Sequence, residues 1–270
     1  MQAAGLSTDL VRGRHVSAPA AGLSLLFAAG KRPGADEVER LLAADGVSRQ
    51  RVAIGCRSDD GRLELLAGGL AFELAGLAPG PGEALPPLAH AFGFARAGIA
   101  GGCEAITLLP GAHIAGGRAM VPLVRTMIGI AAGLALPLPV SAVCWNPAGC
   151  WMEPDYFSRI AVNWLAGGGF PALGLAAVEP DEAGRVVSSG LAFFAGQEVV
   201  VEMPAEVPTA EKVKLAVRVI DYVVRHGPLD RLCELQGAAG ETILAEPTHD
   251  RRLIRVWRAG QGLARAGQLM

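Results

Sequence analysis

The run Gly111-Ala-His-Ile-Ala-Gly-Gly-Arg118 follows an apolar strand pattern and precedes a helical one, a position where backbone amides and the positive helix end can cradle an anion. A phosphate-binding P-loop would carry Lys and Ser or Thr where this chain has Gly117 and Arg118, so nucleotide hydrolysis by such a loop is not expected. What remains is a weaker anion site of loop amides and Arg118, set against the plainer reading of a Gly-rich connection. Arg125, seven residues further on, lies on nearly the same helix face, where its guanidinium could hold a carboxylate or phosphate. It is embedded among the apolar residues 121–130 and needs a partner if it is buried. Glu198 is the candidate partner, although Val200 and Glu202 on its own strand face predict exposure to solvent.

His113 is the only histidine in that Gly-rich loop, a place suited to a general base or a ligand; the plainer reading is surface decoration. No second histidine or cysteine stands at ligand spacing, so no metal and no cofactor are expected. Trp145-Asn146-Pro147, with Trp151, ends a strand, and the carboxyl ends of strands are where open sheets bind ligands. The tryptophans either pack beneath the following helix or, if exposed, anchor a protein interface. Ser188-Ser189-Gly190 lacks the glycine that a G-x-S-x-G elbow places before its serine. Gly167-Gly168-Gly169 ends a helix where a dinucleotide fingerprint would open one.

The elements that must position these residues come from a chain of 270 residues, 51% hydrophobic, with 24 basic and 26 acidic side chains. That composition belongs to a globular protein able to bury a full core, and it offers no basic face for nucleic acid. The five cysteines are scattered without a C-x-x-C pair, which points to a reducing cytoplasm rather than a secreted disulfide framework. Thr126 to Met152 carries no charge and is long enough to suggest a membrane span, but Pro137 and Pro139 would break such a helix. A buried helix followed by a buried strand is expected instead, with no stable membrane insertion.

Strands are predicted at Leu23–Ala29, Val52–Cys56, Leu63–Leu66, Leu70–Leu77 and Ala105–Leu109, and a helix over Leu88–Ala97. The helix Arg118–Leu136 and the strand Val140–Trp145 complete a β-α-β unit. A helix follows from Pro154 to Leu165, then strands at Ala172–Val178, Val186–Phe194 and Glu198–Met203. Thr209 reads as the N-cap of a helix to His226, and Ile243–Ala245 and Leu253–Trp257 are the last strands. The fold class is α+β: mixed sheets of β-α-β and hairpin units with helices on one face, a pattern that allows two similar halves. The organisation is a tail at 1–18, halves at 19–150 and 151–258, and a tail at 259–270.

Four stretches, Leu23–Phe27, Leu138–Asn146, Trp164–Pro171 and Ser189–Glu198, together with Gly240–Ile243, resemble an uncharacterised bacterial family catalogued as domain of unknown function 4261. The likeness is clearest from Trp164 to Ile243. It rests in part on a Gly-Leu pair leading through a Gly to an acid, matched by Gly190-Leu191, Gly196 and Glu198; Gln197 departs from many relatives. The resemblance implies a compact cytoplasmic α+β protein and implies no reaction.

Two functions follow from the residues. The first is a non-catalytic protein-binding or regulatory factor, immunity-like in kind, with Trp145 and Trp151 as anchors and a homo-oligomer compatible with it. The second is an anion- or small-molecule-binding protein, or an enzyme, whose pocket between loops 110–118 and 145–151 gathers His113, Arg118, Arg125, Asn146 and Glu198. Convergence of His113, Arg125, Asn146 and Glu198 on one cavity separates the second from the first.

Overall fold

A computed structural model describes residues 21–43, 51–94, 102–237 and 240–260. Two mixed sheets carry the α+β fold. The first is assembled from β1 (Leu23–Ala28), β2 (Val52–Ser58), β3 (Arg62–Ala67), β4 (Leu70–Ala75), β5 (His90–Phe92), β6 (Cys103–Pro110), β7 (Val140–Trp145) and β8 (Cys150–Met152), in the order β2-β3-β4-β6-β1-β7-β8-β5. Helices α1 (Ala35–Ala43), α2 (Val121–Ala135) and α3 (Pro154–Leu165) pack with it. After a short helical turn, α4 (Ala172–Leu175), the second sheet collects β9 (Ala177–Pro180), β10 (Val186–Ser189), β11 (Glu198–Val201), β12 (Cys233–Gln236), β13 (Thr242–Pro247) and β14 (Leu253–Arg258). Its order is β12-β13-β14-β11-β10-β9, with the turn α5 (Ala192–Ala195) and the long α6 (Thr209–His226) inserted along the chain.

The apolar runs explain the centre. β1 is buried on both faces from Leu23 to Phe27: Leu23, Leu25 and Phe27 join the core that holds α1 and α2, while Leu26 joins Ala105, Ala142, Cys144 and Trp151 on the opposite face. A strand covered on both sides reads as a continuous hydrophobic run, as this one does. β3 alternates strictly, with Leu63, Leu65 and Ala67 inside and Arg62, Glu64 and Leu66 outside, which is the pattern of a wing wet on one face. α2 opens with Pro122, whose missing N–H costs nothing in the first turn, and buries nine of its 15 residues. The uncharged stretch from Thr126 is therefore a buried helix leading to the buried strand β7, and among the described residues no helix is long and apolar enough to cross a membrane.

β1 lies between β6 and β7 and runs antiparallel to both, so the expected β-α-β unit is present with a third strand inserted between its arms. A shared pattern links the halves. β1-α1-β2-β3-β4 and β11-α6-β12-β13-β14 are each a strand, a helix and a three-stranded meander. The meander returns parallel to its starting strand, directly for β14 on β11 and across β6 for β4 and β1. The junction expected at 150/151 falls inside β8, and one core cluster runs through both halves.

Several expected elements change. The strand over 172–178 is the turn α4 followed by β9, because Gly174 takes φ 144° and Leu173 leaves the helical region. The strand from Val186 stops at Ser189: Gly190 turns the chain at φ 92°, and a side chain there would strike Ala148, its Cβ lying 2.5 Å from that residue's Cβ. Over 88–94 there is no helix but the three-residue β5. Pro208, not Thr209, is the N-cap of α6, and Lys212 is buried with its Nζ donating to the Gly184 carbonyl at 3.0 Å. The tail at 1–18 and residues 261–270 of the other tail lie outside the described residues, as do 95–97 of the expected helix.

Candidate functional site

The residues expected to gather in one pocket are engaged in different places. Arg125 crosses from α2 to the end of α3: its two terminal nitrogens donate to the carbonyls of Trp164 at 2.8 Å and Leu165 at 3.1 Å, and its guanidinium carbon stands 5.0 Å from the centre of the Trp164 ring. Carbonyls at a helix end lack partners within the helix, and a cation there is favoured by the dipole. The partner the sequence demanded for Arg125 is thus backbone rather than Glu198. Arg125→Ala should lower stability by about 1–3 kcal/mol, read as a lower urea midpoint; an unchanged midpoint would remove this role.

Glu198 is not solvated as strand alternation predicts. Its carboxylate accepts from the backbone N–H of Gly190 at 2.8 Å, Ala192 at 2.9 Å and Leu191 at 3.3 Å, and from the Ser188 hydroxyl, whose oxygen in turn accepts from Val199 N–H at 2.7 Å. The side chain fills a nest of amides made by the turn after β10. This is the geometry behind the Gly-Leu…Gly…Glu pattern: Gly190 and Gly196, both at positive φ, bracket the turn.

Asn146 is buried beneath the sheet end, its Nδ2 donating to Ser24 Oγ at 3.1 Å, which pairs with Thr107 Oγ1 at 3.0 Å. Trp145 is fully buried and Trp151 is 7% exposed, so neither presents the surface anchor that a protein interface would need. Trp145 packs on Phe193 and Phe194, Phe194 on Phe170, and Phe170 on Trp164, with ring centres 5.0–5.9 Å apart. One aromatic chain therefore runs from β7 through α5 to the ring beneath Arg125. His113 and Arg118 are exposed on and just after the 3-10 turn Ala112–Gly117. His113 faces a cleft of about 360 Å³ beside Cys56, Glu64 and Arg62, and Arg62 is already held by Asp60 at 3.1 Å and Glu73 at 2.6 Å. The buried thiols are no better placed for chemistry: burial pushes Cys150 up to about 12 and Cys144 higher still, so both stay protonated near neutral pH.

A different surface does collect unspent charge. α6 packs over β9, β10 and β11 through Leu215, Ala216, Val219, Ile220 and Val223, and β12, β13 and β14 extend the sheet beyond it. Two adjoining clefts follow the helix there, about 490 Å³ beside β12 and about 340 Å³ beside β13 and β14, with Arg218 in the wall of both. Their acids are already paired: Asp221 with Arg225 at 3.0 Å, Glu211 with Arg258 at 3.2 Å, and Glu241 with Arg258 at 3.8 Å. Lys214 and Arg218, one turn apart, are exposed and make no ion pair or hydrogen bond among the described residues. Their spacing was visible in the sequence, but it looks like any solvated helix face until the off-centre seat of α6 is known.

No family model, curated protein or solved structure matches the chain.

Proposed function

We propose that this chain is a protein-binding, regulatory factor whose docking surface is the groove along α6, and that it belongs to the family its sequence resembles. The observation that carries this reading is the pair Lys214 and Arg218, left without counter-charge in a groove whose acids are otherwise matched. Two unneutralised cations above an apolar floor that includes Leu215 and Ile243 form a surface that a complementary partner would complete. The second reading, a pocket between the 110–118 and 145–151 loops, loses its support because Arg125, Asn146 and Glu198 are bonded within the fold at separate places. The reading places the protein in a reducing cytoplasm.

The test is co-purification from the source cells with wild-type chain and with Lys214→Glu/Arg218→Glu as baits. A partner held by the wild type and lost from the double variant, with circular dichroism unchanged, is the expected result. A partner held equally by both would move the docking surface elsewhere, and recovery of none would overturn the reading.

A further inference from the structure

Resting on that reading, we propose that the occupant of the α6 groove is an extended acidic segment of the partner protein, with Lys214 and Arg218 as the residues that read it. The groove follows α6 from Glu211 to His226, and at 1.5 Å per residue that span is roughly 23 Å. An extended chain advances about 3.3 Å per residue, so some seven residues fill it.

The charges along this path decide the sign of the partner. Four permanent cations, Lys214, Arg218, Arg225 and Arg258, face three acids, Glu211, Asp221 and Glu241. Every acid lies within 3.8 Å of Arg225 or Arg258, which fixes those two arginines as walls and leaves the i, i+4 pair Lys214 and Arg218 without an ion pair in a groove where cations exceed acids by one. A basic segment would have to displace Arg225 or Arg258 from their acids while meeting Lys214 and Arg218 as like charges. An acidic side chain meets both cations without disturbing any of the three ion pairs.

The same arithmetic opposes a nucleic-acid strand. A phosphate backbone carries a charge at every nucleotide and would pass Glu211, Asp221 and Glu241 in turn, against only two free cations. Carboxylates spaced along a peptide can place their charges beside Lys214 and Arg218 and leave neutral residues opposite the acids. Gln236 at the β12 end of the groove offers a neutral amide to the peptide backbone.

Fluorescence anisotropy tests this with three labelled probes of about ten units: an acidic peptide whose glutamates are spaced among serine and glycine, oligolysine and oligothymidylate. The spaced acidic peptide is expected to bind, to weaken on raising salt, and to weaken about tenfold in Lys214→Gln/Arg218→Gln, the size expected for two exposed charge contacts. Lys214→Arg should retain binding, and Arg57→Gln/Arg62→Gln on the first sheet should leave it unchanged. Equal binding of the acidic peptide by wild type and double variant overturns the proposal, as do absent binding, preferential binding of oligolysine, and tighter binding of oligothymidylate. The two readings fail separately: a partner lost from the charge-reversed bait without binding of the acidic peptide leaves the docking surface standing and removes the acidic segment.

Discussion

Trp145→Ala is expected to cost about 3–5 kcal/mol, the range for deleting a large aromatic from a close-packed core. Trp145 is completely buried at the end of β7, with Phe193 edge-on at 5.4 Å and Phe194 stacked at 5.9 Å. Removing the indole leaves both phenyl rings facing a void that rigid neighbours on β1 and β8 cannot close. Trp145→Phe should cost much less than alanine: it keeps most of the ring contact and deletes an indole Nε1 that is buried without a hydrogen-bond partner. Urea unfolding of the two variants measures the difference. Equal losses would show that the indole's shape matters and that its unpaired donor does not, and a loss below about 1 kcal/mol for alanine would overturn the reading of Trp145 as a core residue.

This result bears on how sequence and site relate. Trp145 and Trp151 could have anchored a core or a partner, and sequence spacing cannot decide between the two because both use the same large amphipathic ring. The strand-to-helix alternation was legible where apolar runs were long: β1, α2 and β7 stand close to where periodicity puts them, since most of their residues are buried. It was illegible where a single glycine overrules a strand-like composition. Val186 to Phe194 is apolar enough to continue as a strand, yet Gly190 turns the backbone and sends Phe193 and Phe194 onto Trp145. Short edge strands such as β12 carry too few residues for an alternation to register. The charged groove is a tertiary product: Lys214 and Arg218 come from α6, but the acids that leave them unmatched are tied up by Arg225 on the same helix and by Arg258 from β14.

Glu198→Ala is expected to cost about 2–4 kcal/mol, because one carboxylate accepts four hydrogen bonds and three come from backbone amides of a turn that no other described group caps. The half-buried position lets water replace part of the loss, which keeps the value below the sum of four charge-assisted bonds. Glu198→Gln should fall between alanine and wild type: one oxygen still serves Gly190 and Ala192, while the new amide donor faces the Leu191 N–H and the Ser188 hydroxyl, of which only the hydroxyl can turn to accept. The nest also has a packing consequence, since the turn it holds is α5, the carrier of Phe193 and Phe194. Loosening α5 should release these rings from Trp145, so Glu198→Ala is expected to shift the tryptophan emission of the folded protein. The two lesions then act on the same contact. The double variant Glu198→Ala/Trp145→Ala should be less destabilised than the sum of its singles by more than about 0.5 kcal/mol, the coupling that residues in one packed network show. Strict additivity would mean that the carboxylate secures its own turn alone and that the aromatic chain holds α5 without it.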